Sequence, residues 1–478
     1  MCDSDTEGPT TTAGSTTVLE PNLQRPERQL LGVFADSSRS LTSTILRLTG
    51  PAVAENLLQT LLLMVDTFMV AYYGSVPIAA AAAAGMILWR LHMTLGCIER
   101  GTTALVARRW GASSREGAAH AVGQSLLLSV ILGSLLTVGG LVWTPELLRA
   151  LRTPEEAVLA GIPYMRAVLA ASVARMIFFV GAASMRATGN TRTPMWIALG
   201  MNGSNILFNY LLIYGHWGFP ELKLFGSGLS TCVALCLAAV AVVIHLVRAK
   251  DGPQVRLHHF WPNGKIIATI WRVSLPSFVE ELMISIGFLV FFSFVTRLGT
   301  LALASHALAT RLESLSFMAG IGFSIASSAL VGQALGMRDV SLARRVFRTS
   351  TTLAVLVMSF VAVALVFLGR PLLGFFCREI DVVELAYALL LVAAVEQPLL
   401  GIAMTLSGGL RGAGETISPM LASFFGNLVV RIGATYALAF PFGLGIYGVV
   451  LGTIVDWLAR CIILFYGYRR EKWAHIEL

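Results

Sequence analysis

Apolar residues in this chain gather into long unbroken runs, such as "ENLLQTLLLMVDTFMV" and "TTLAVLVMSFVAVALVFLG". Neither run alternates polar and apolar positions as a barrel strand does, so each must satisfy its own backbone in lipid as a helix. Roughly 20 apolar residues are enough to cross a bilayer. The pattern predicts spans near 45–73, 78–107, 119–143, 159–186, 193–215, 226–247, 269–296, 301–334, 347–368, 384–410, 417–440 and 445–467. The expected fold class is therefore an all-α polytopic membrane protein with twelve transmembrane helices. The stretch before them is rich in Thr, Ser, Pro and charge, reads as a disordered tail over residues 1–40, and shows no removable signal peptide.

The pattern also repeats. "RATGNTRTPM" begins at Arg186 and "RGAGETISPM" at Arg411, a shift of 225 positions with five of ten letters kept. The same shift carries "PAVAENLLQTLLLMVDTFMVAYYG" from Pro51 onto "PSFVEELMISIGFLVFFSFVTRLG" from Pro276, "ALVARRWG" onto "ALVGQALG", and Asn202 onto Asn427. Two six-helix lobes follow, 41–248 and 269–468, joined by a linker over 249–268 and ending in a tail over 469–478. An even number of crossings per lobe makes this a parallel repeat, about an axis along the membrane normal. The two Arg-x-x-Gly loops then become equivalent turns between the fourth and fifth helices of each lobe. Gly189 and Gly414 are expected to let the chain turn, and Pro194 and Pro419 to start the next helix.

Composition agrees with the pattern: 56% of 478 residues are hydrophobic, 13% are charged, and mean hydropathy is +0.74, which excludes a water-soluble globule. Charge adds orientation. Threading the twelve spans leaves 21 Lys and Arg on one side and six (Arg149, Arg152, Lys223, Arg297, Arg370, Arg378) on the other. By the positive-inside rule both termini are cytoplasmic, which in a bacterial-type protein means the inner membrane. The net charge of +8 thus reports topology, and no nucleic-acid partner is expected. The six cysteines show no metal spacing and no metal centre is expected. A Gly-x-x-x-x-Gly-Lys-Ser/Thr phosphate loop and a His-Glu-x-x-His motif are both missing, so neither an ATP-driven pump nor an intramembrane protease is supported. No cofactor is expected, and an ion gradient would be the energy source.

The two Arg-x-x-Gly-x-Thr-x-x-Pro-Met loops, "VDTFMVAYYG", "NILFNYLLIYG" and "RLESLSFMAGIGFSIASSALVGQALG" together resemble the multidrug and toxic compound extrusion (MATE) family. The likeness runs from about residue 41 to 468. It implies two lobes forming a V, rocking between outward and inward openings, and a monomeric antiporter that exports amphipathic, often cationic compounds against H⁺ or Na⁺. The alternatives are a flippase for lipid-linked sugars, whose cavity would be more cationic, and a non-coupled channel or receptor.

Charges at lipid depth point to the working residues, because each costs around 2.5–3.5 kcal/mol at a helix centre. Asp66 is the sharpest candidate: an acid in the outer half of the first helix, beside Met64 and Phe68, which could carry a proton in one state and release it in another. The resemblance places an essential acid at this Val-Asp-Thr position. Asn202, Asn205 and Asn209 share one face of the fifth helix and could bond that carboxyl or supply oxygens to Na⁺. One branch of the family has Asp where this chain has Asn209, which makes sodium less favoured in this lobe. The second lobe offers Glu280 and Glu396, with Glu281, Arg311 and Glu313 as further cavity residues. The competing reading for Glu280 and Glu396 is buried ion pairing, and in a sodium-coupled branch the acid lies one turn on, where this chain has Ile284. Asp456 and Arg460, at i and i+4, are expected to pair within their helix, Arg311 and Glu313 to pair with different helices, and Arg100 to snorkel to the inner surface.

Overall fold

A computed structural model describes residues 40–151, 153–249 and 252–478. The tail expected over 1–40, apart from Ser40, lies outside these residues, as do Arg152 and the linker residues 250 and 251. The described chain builds twelve helical spans. Ten are long and apolar enough to cross a membrane: α1 (Leu41–Ala71), α2 (Ser75–Gly111), α3 (Arg115–Ala150), α6 (Lys223–Arg248), α7 (Gly264–Arg297), α8 (Thr300–Gly336), α9 (Val340–Phe376), α10 (Ile380–Gly412), α11 (Ile417–Ala439) and α12 (Gly445–Arg469). Glu155–Ala170 and Ser172–Ala187 form α4, bent by 47°. Arg192–Tyr214 forms α5, whose 23 residues, at 1.5 Å rise each, reach about 34 Å, and whose three asparagines lower its hydropathy.

Several helices start earlier than the apolar pattern predicts. α3 begins at Arg115, where the Ser114 hydroxyl accepts from Gly117 N (3.2 Å). α7 begins at Gly264, capped by Asn263 Oδ1, and α9 at Val340, where Asp339 Oδ1 accepts from Leu342 N (2.8 Å). Hydropathy marks only the apolar window, whereas a polar N-cap sets where the helix begins, and these caps lie outside that window.

The repeat shows in the backbone as well as in the letters. Pro51 and Pro276 both lie inside helices, Gly74 and Gly299 have φ of +98° and +96°, and the loop glycines Gly189 and Gly414 have φ of +94° and +86°. Pro194 and Pro419 are each the third residue of the helix that follows the loop. One difference breaks the register: α11 contains a π-helical turn over Phe424–Val430, one residue more per turn than its counterpart α5 needs.

Core packing defines the overall shape. The two largest apolar clusters lie toward the basic face, and each mixes the lobes. One packs Leu105, Trp110 and Phe178 with Ile266 and Ile270, the other packs Ile45 and Leu48 with Phe323, Leu330 and Phe347. The clusters at the other ends of the helices each stay within one lobe. Lobes joined at one end and separate at the other make a V. At the join α2 meets α8 so closely that a Cβ on Gly111 would lie 2.1 Å from Gln333 O, and one on Gly336 would lie 2.1 Å from Arg108 O. These two glycines are repeat equivalents, each making room for the other helix. The segment after α12, expected as a tail, folds onto this face: Trp473 is fully buried against Phe347 and Tyr468, and Arg108 of the first lobe bonds Ile476 O.

Candidate functional site

In the first lobe the asparagine face of α5 meets α1. Asn209 donates from Nδ2 to Asp66 Oδ1 and to Asn205 Oδ1 (2.9 Å). Asn205 donates in turn to Thr231 Oγ1 on α6 (3.2 Å), and Thr231 to Ser227 O (3.0 Å). The chain of dipoles therefore starts at one carboxylate and ends on backbone. Asn205 and Asn209 are fully buried, and Asp66 is half-buried. Among the described residues no base pairs with Asp66, so an amide is the partner of its carboxylate. Asn202, one turn nearer the basic face, donates to Leu58 O on α1 (2.7 Å). The side-chain oxygens of Asn202 and Asn209 are buried with no partner among the described residues, two hard oxygen ligands suited to a proton donor, a water or a small cation.

Two of the acids predicted in the second lobe, Glu280 and Glu281, sit among guanidinium groups. Glu280 accepts from Arg411 Nη2 (2.6 Å), Ser423 Oγ (2.7 Å) and Arg100 Nη1 (3.5 Å), and Glu281 pairs with Arg100. The expectation that Arg100 snorkels to the surface is corrected here. Its guanidinium crosses from α2 to α7, because two uncompensated carboxylates at membrane depth offer a better partner than headgroup water. The first lobe holds the matching pair, Glu55 with Arg186 (2.8 Å). Both pairs use the loop arginines, so Arg186 and Arg411 clamp the helix before each loop onto α1 or α7.

Glu396 does lie at a break in α10, where Ala394–Glu396 form a 3₁₀ turn just before Pro398. It is buried, with Oε2 unpartnered among the described residues, and Gln397 beside it donates to Glu313 Oε1 (3.1 Å). Asp456 and Arg460 form the intrahelical pair expected, with contacts of 2.6 and 2.9 Å, and Arg431 lies 3.9 Å from Asp456 with its guanidinium 4.1 Å from the centre of the Phe291 ring. Glu313 thus finds a partner on another helix. Arg311 does not: it is exposed and makes no ion pair among the described residues, since the two-residue spacing turns it to the opposite face. Met64 and Phe68 are exposed, 53% and 80%, beside Asp66 on α1.

A further polar contact ties the lobes. Gln333 Nε2 on α8 donates to Ala187 O at the end of α4 (2.7 Å). Sequence reasoning did not single out Gln333, although its place in "ALVGQALG", where the first lobe has "ALVARRWG", marks a departure from the repeat.

Comparison with known proteins agrees with this architecture. The MatE family model matches residues 51–211 and again 276–437, one match in each lobe. The probable multidrug resistance protein NorM of Thermotoga maritima is 27% identical over 442 residues, covering 90% of this chain and 92% of that one. The probable multidrug resistance protein YoeA of Bacillus subtilis is 25% identical, covering 90% and 93%. Among solved structures, a MATE transporter in the straight conformation superposes with a TM-score of 0.84 at 25% identity, over 93% of this chain and 97% of that one. A multidrug resistance MATE family transporter of the MOP superfamily in an outward-facing conformation gives 0.83 at 25%, over 90% and 96%. Matched in both lobes by the family model and over nearly its full length by transporters, the chain belongs to the MatE family, the multidrug and toxic compound extrusion transporters that its loop motifs resemble.

Proposed function

We propose that this transporter is an antiporter that exports amphipathic, cationic drugs or metabolites across the inner membrane in exchange for protons, with both termini in the cytoplasm. The observation that carries the reading is Asp66, a membrane-depth acid whose partner is the amide of Asn209. Glu55, Glu280 and Asp456 are each held by arginine, so their charges are already compensated. Gain or loss of a proton at Asp66 changes the net charge of the first lobe, and a carboxyl that alternates between proton and cationic substrate couples their opposite movements. The named relatives, multidrug resistance proteins, support the substrate class, and exposed Met64 and Phe68 suit a pocket that adapts to many shapes. Closure at the basic face with separation at the other end corresponds to the outward-facing state, and rocking about the α2–α8 contact would exchange it for the inward-facing one.

Everted vesicles taking up a fluorescent lipophilic cation test the proposal. A pH gradient should drive uptake in the wild type, and Asp66→Asn should abolish that drive while leaving the protein folded. Sodium-driven uptake that survives Asp66→Asn would overturn it and move coupling to Glu396 and Glu313.

A further inference from the structure

The linker between the lobes is fastened to the first turns of α3. Gln124 Nε2 donates to His259 O (2.7 Å) and Trp261 O (2.8 Å), and its Oε1 accepts from Asn263 N (2.9 Å). Gly123 gives the linker room to approach, since a Cβ there would lie 2.6 Å from His259 O. This docking brings His258 and His259 over Glu116 and His120, which are one helical turn apart on α3. The four residues offer ligand atoms within 4.8 Å of one another. Glu116 Oε1 lies 2.9 Å from His258 Nε2, 2.8 Å from His259 Nε2 and 3.8 Å from His120 Nε2.

The imidazoles are not equivalent. His259 is fully buried, and its Nδ1 accepts from Arg256 N (2.9 Å), so its neutral ring carries the proton on Nε2 and donates to Glu116. His120 and His258 are partly open to solvent, and His120 Nδ1 is a buried nitrogen with no partner among the described residues. We propose that Glu116, His120 and His258 bind a divalent transition metal ion, best suited to Zn²⁺, with His259 as the residue that positions the Glu116 carboxylate. Two imidazoles and one carboxylate are an established zinc set that leaves a fourth position for water. Ligand atoms about 2.0–2.1 Å from a tetrahedral ion stand roughly 3.4 Å apart, which the 2.9 and 3.8 Å separations at Glu116 bracket. The donor from His259 is the outer-shell hydrogen bond that metal-bound carboxylates require. The hydrogen bonds from Gln124 preform the site, so little ordering is needed for binding. The bound ion would fasten the connection between the lobes to the first lobe.

Chelator-stripped, full-length protein in detergent, titrated with ZnCl₂ against a chromophoric chelator, is the test, with Co²⁺ as a spectroscopic substitute. The expected result is one equivalent of Zn²⁺ per chain, a tetrahedral Co²⁺ absorption band, and at least about 100-fold weaker binding in Glu116→Gln, His120→Ala and His258→Ala. His259→Gln should weaken it by about 10–100-fold, and His216→Ala, at the opposite end of the molecule, should leave it unchanged. His258 is half exposed on the linker, against 33% for His120 and none for His259, so of the three histidine variants it is the most secure against misfolding. Undiminished Zn²⁺ binding in a monodisperse His120→Ala/His258→Ala double variant would overturn the proposal, as would a wild type that fails to compete at micromolar metal.

Discussion

The two lobes share a skeleton and differ in what they place upon it. At the shift of 225, Glu55 and Arg186 fall on Glu280 and Arg411, and the Asn202 bond to Leu58 O falls on the Asn427 bond to Met283 O. Asp66, however, falls on Phe291, and Asn209 falls on Ala434, or on Thr435 once the π turn is allowed for. In the other direction, Glu396 and Asp456 fall on Ala171 and Thr231. Polar residues that appear in both lobes hold helices together, because both lobes need the same joints. Asp66 has no counterpart in the second lobe and therefore no share in those joints. This contrast is what separates Asp66 from Glu280, two acids that look alike when each is read in isolation.

If the shared pairs are joints, removing one partner should be the most damaging change in the molecule. Arg186 and Glu55 are 9% and 4% exposed, so either substitution strands a buried charge, at a cost of about 3–5 kcal/mol. Glu55→Ala and Arg186→Ala should each lower the thermal midpoint of the detergent-solubilised protein sharply. Glu280→Ala should do the same, since it leaves Arg411 without its carboxylate. A loss below about 0.5 kcal/mol in Glu55→Ala would break the comparison, returning that acid to the pool of candidate transport residues.

A smaller effect should come from the contact that the lobes do not share within themselves. Arg100 reaches from α2 to Glu280 and Glu281 on α7, and its removal leaves each lobe intact while loosening the closed end of the V. We expect Arg100→Ala to favour opening at the basic face by about tenfold in population, or about 1.4 kcal/mol. Cys97, 3% exposed beside this contact, reports it. With the remaining cysteines replaced by Ser, a water-soluble maleimide should label Cys97 faster in Arg100→Ala. Arg370→Ala, which breaks an exposed pair with Glu384 inside the second lobe, should not change the labelling rate. Equal rates in all three proteins would show that Arg100 serves packing alone.

Much of this was legible in the chain. Helix number, the repeat, the turns at Gly189 and Gly414 and the shared face of Asn202, Asn205 and Asn209 all follow from periodicity within or between long apolar runs. Partners could not be read the same way. Arg100 is 180 positions from Glu280, and nothing in hydropathy distinguishes an arginine that snorkels from one that crosses to another lobe. The Glu116–His259 contact spans 143 positions and depends on how one linker docks, which is set by Gln124 and Gly123 rather than by any motif. The break at Glu396 was visible as a proline, but the 3₁₀ turn that aims the carboxylate inward is a property of the folded helix.

The finest test of the comparison lies in its most conservative element, the repeated asparagine. Asn202 donates to Leu58 O at 2.7 Å, whereas Asn427 shares its donor between Met283 O at 3.2 Å and Ile284 O at 3.4 Å. Interhelical hydrogen bonds within membranes average about 0.6 kcal/mol, because the unfolded chain in the membrane also finds partners. Asn202→Ala and Asn427→Ala should therefore each cost about that much in thermal unfolding, with the shorter, undivided Asn202 bond the larger of the two. Both variants should keep proton-driven uptake. Asn202 has one more property to test, a buried Oδ1 that has no partner among the described residues, a turn from Asn205. If that oxygen ligates a coupling cation, Asn202→Ala would lose uptake driven by sodium while its stability fell no further than that of Asn427→Ala. Such a result would move the asparagine of the first lobe from the joints to the working residues, and would replace the proton with sodium in the coupling proposed for Asp66.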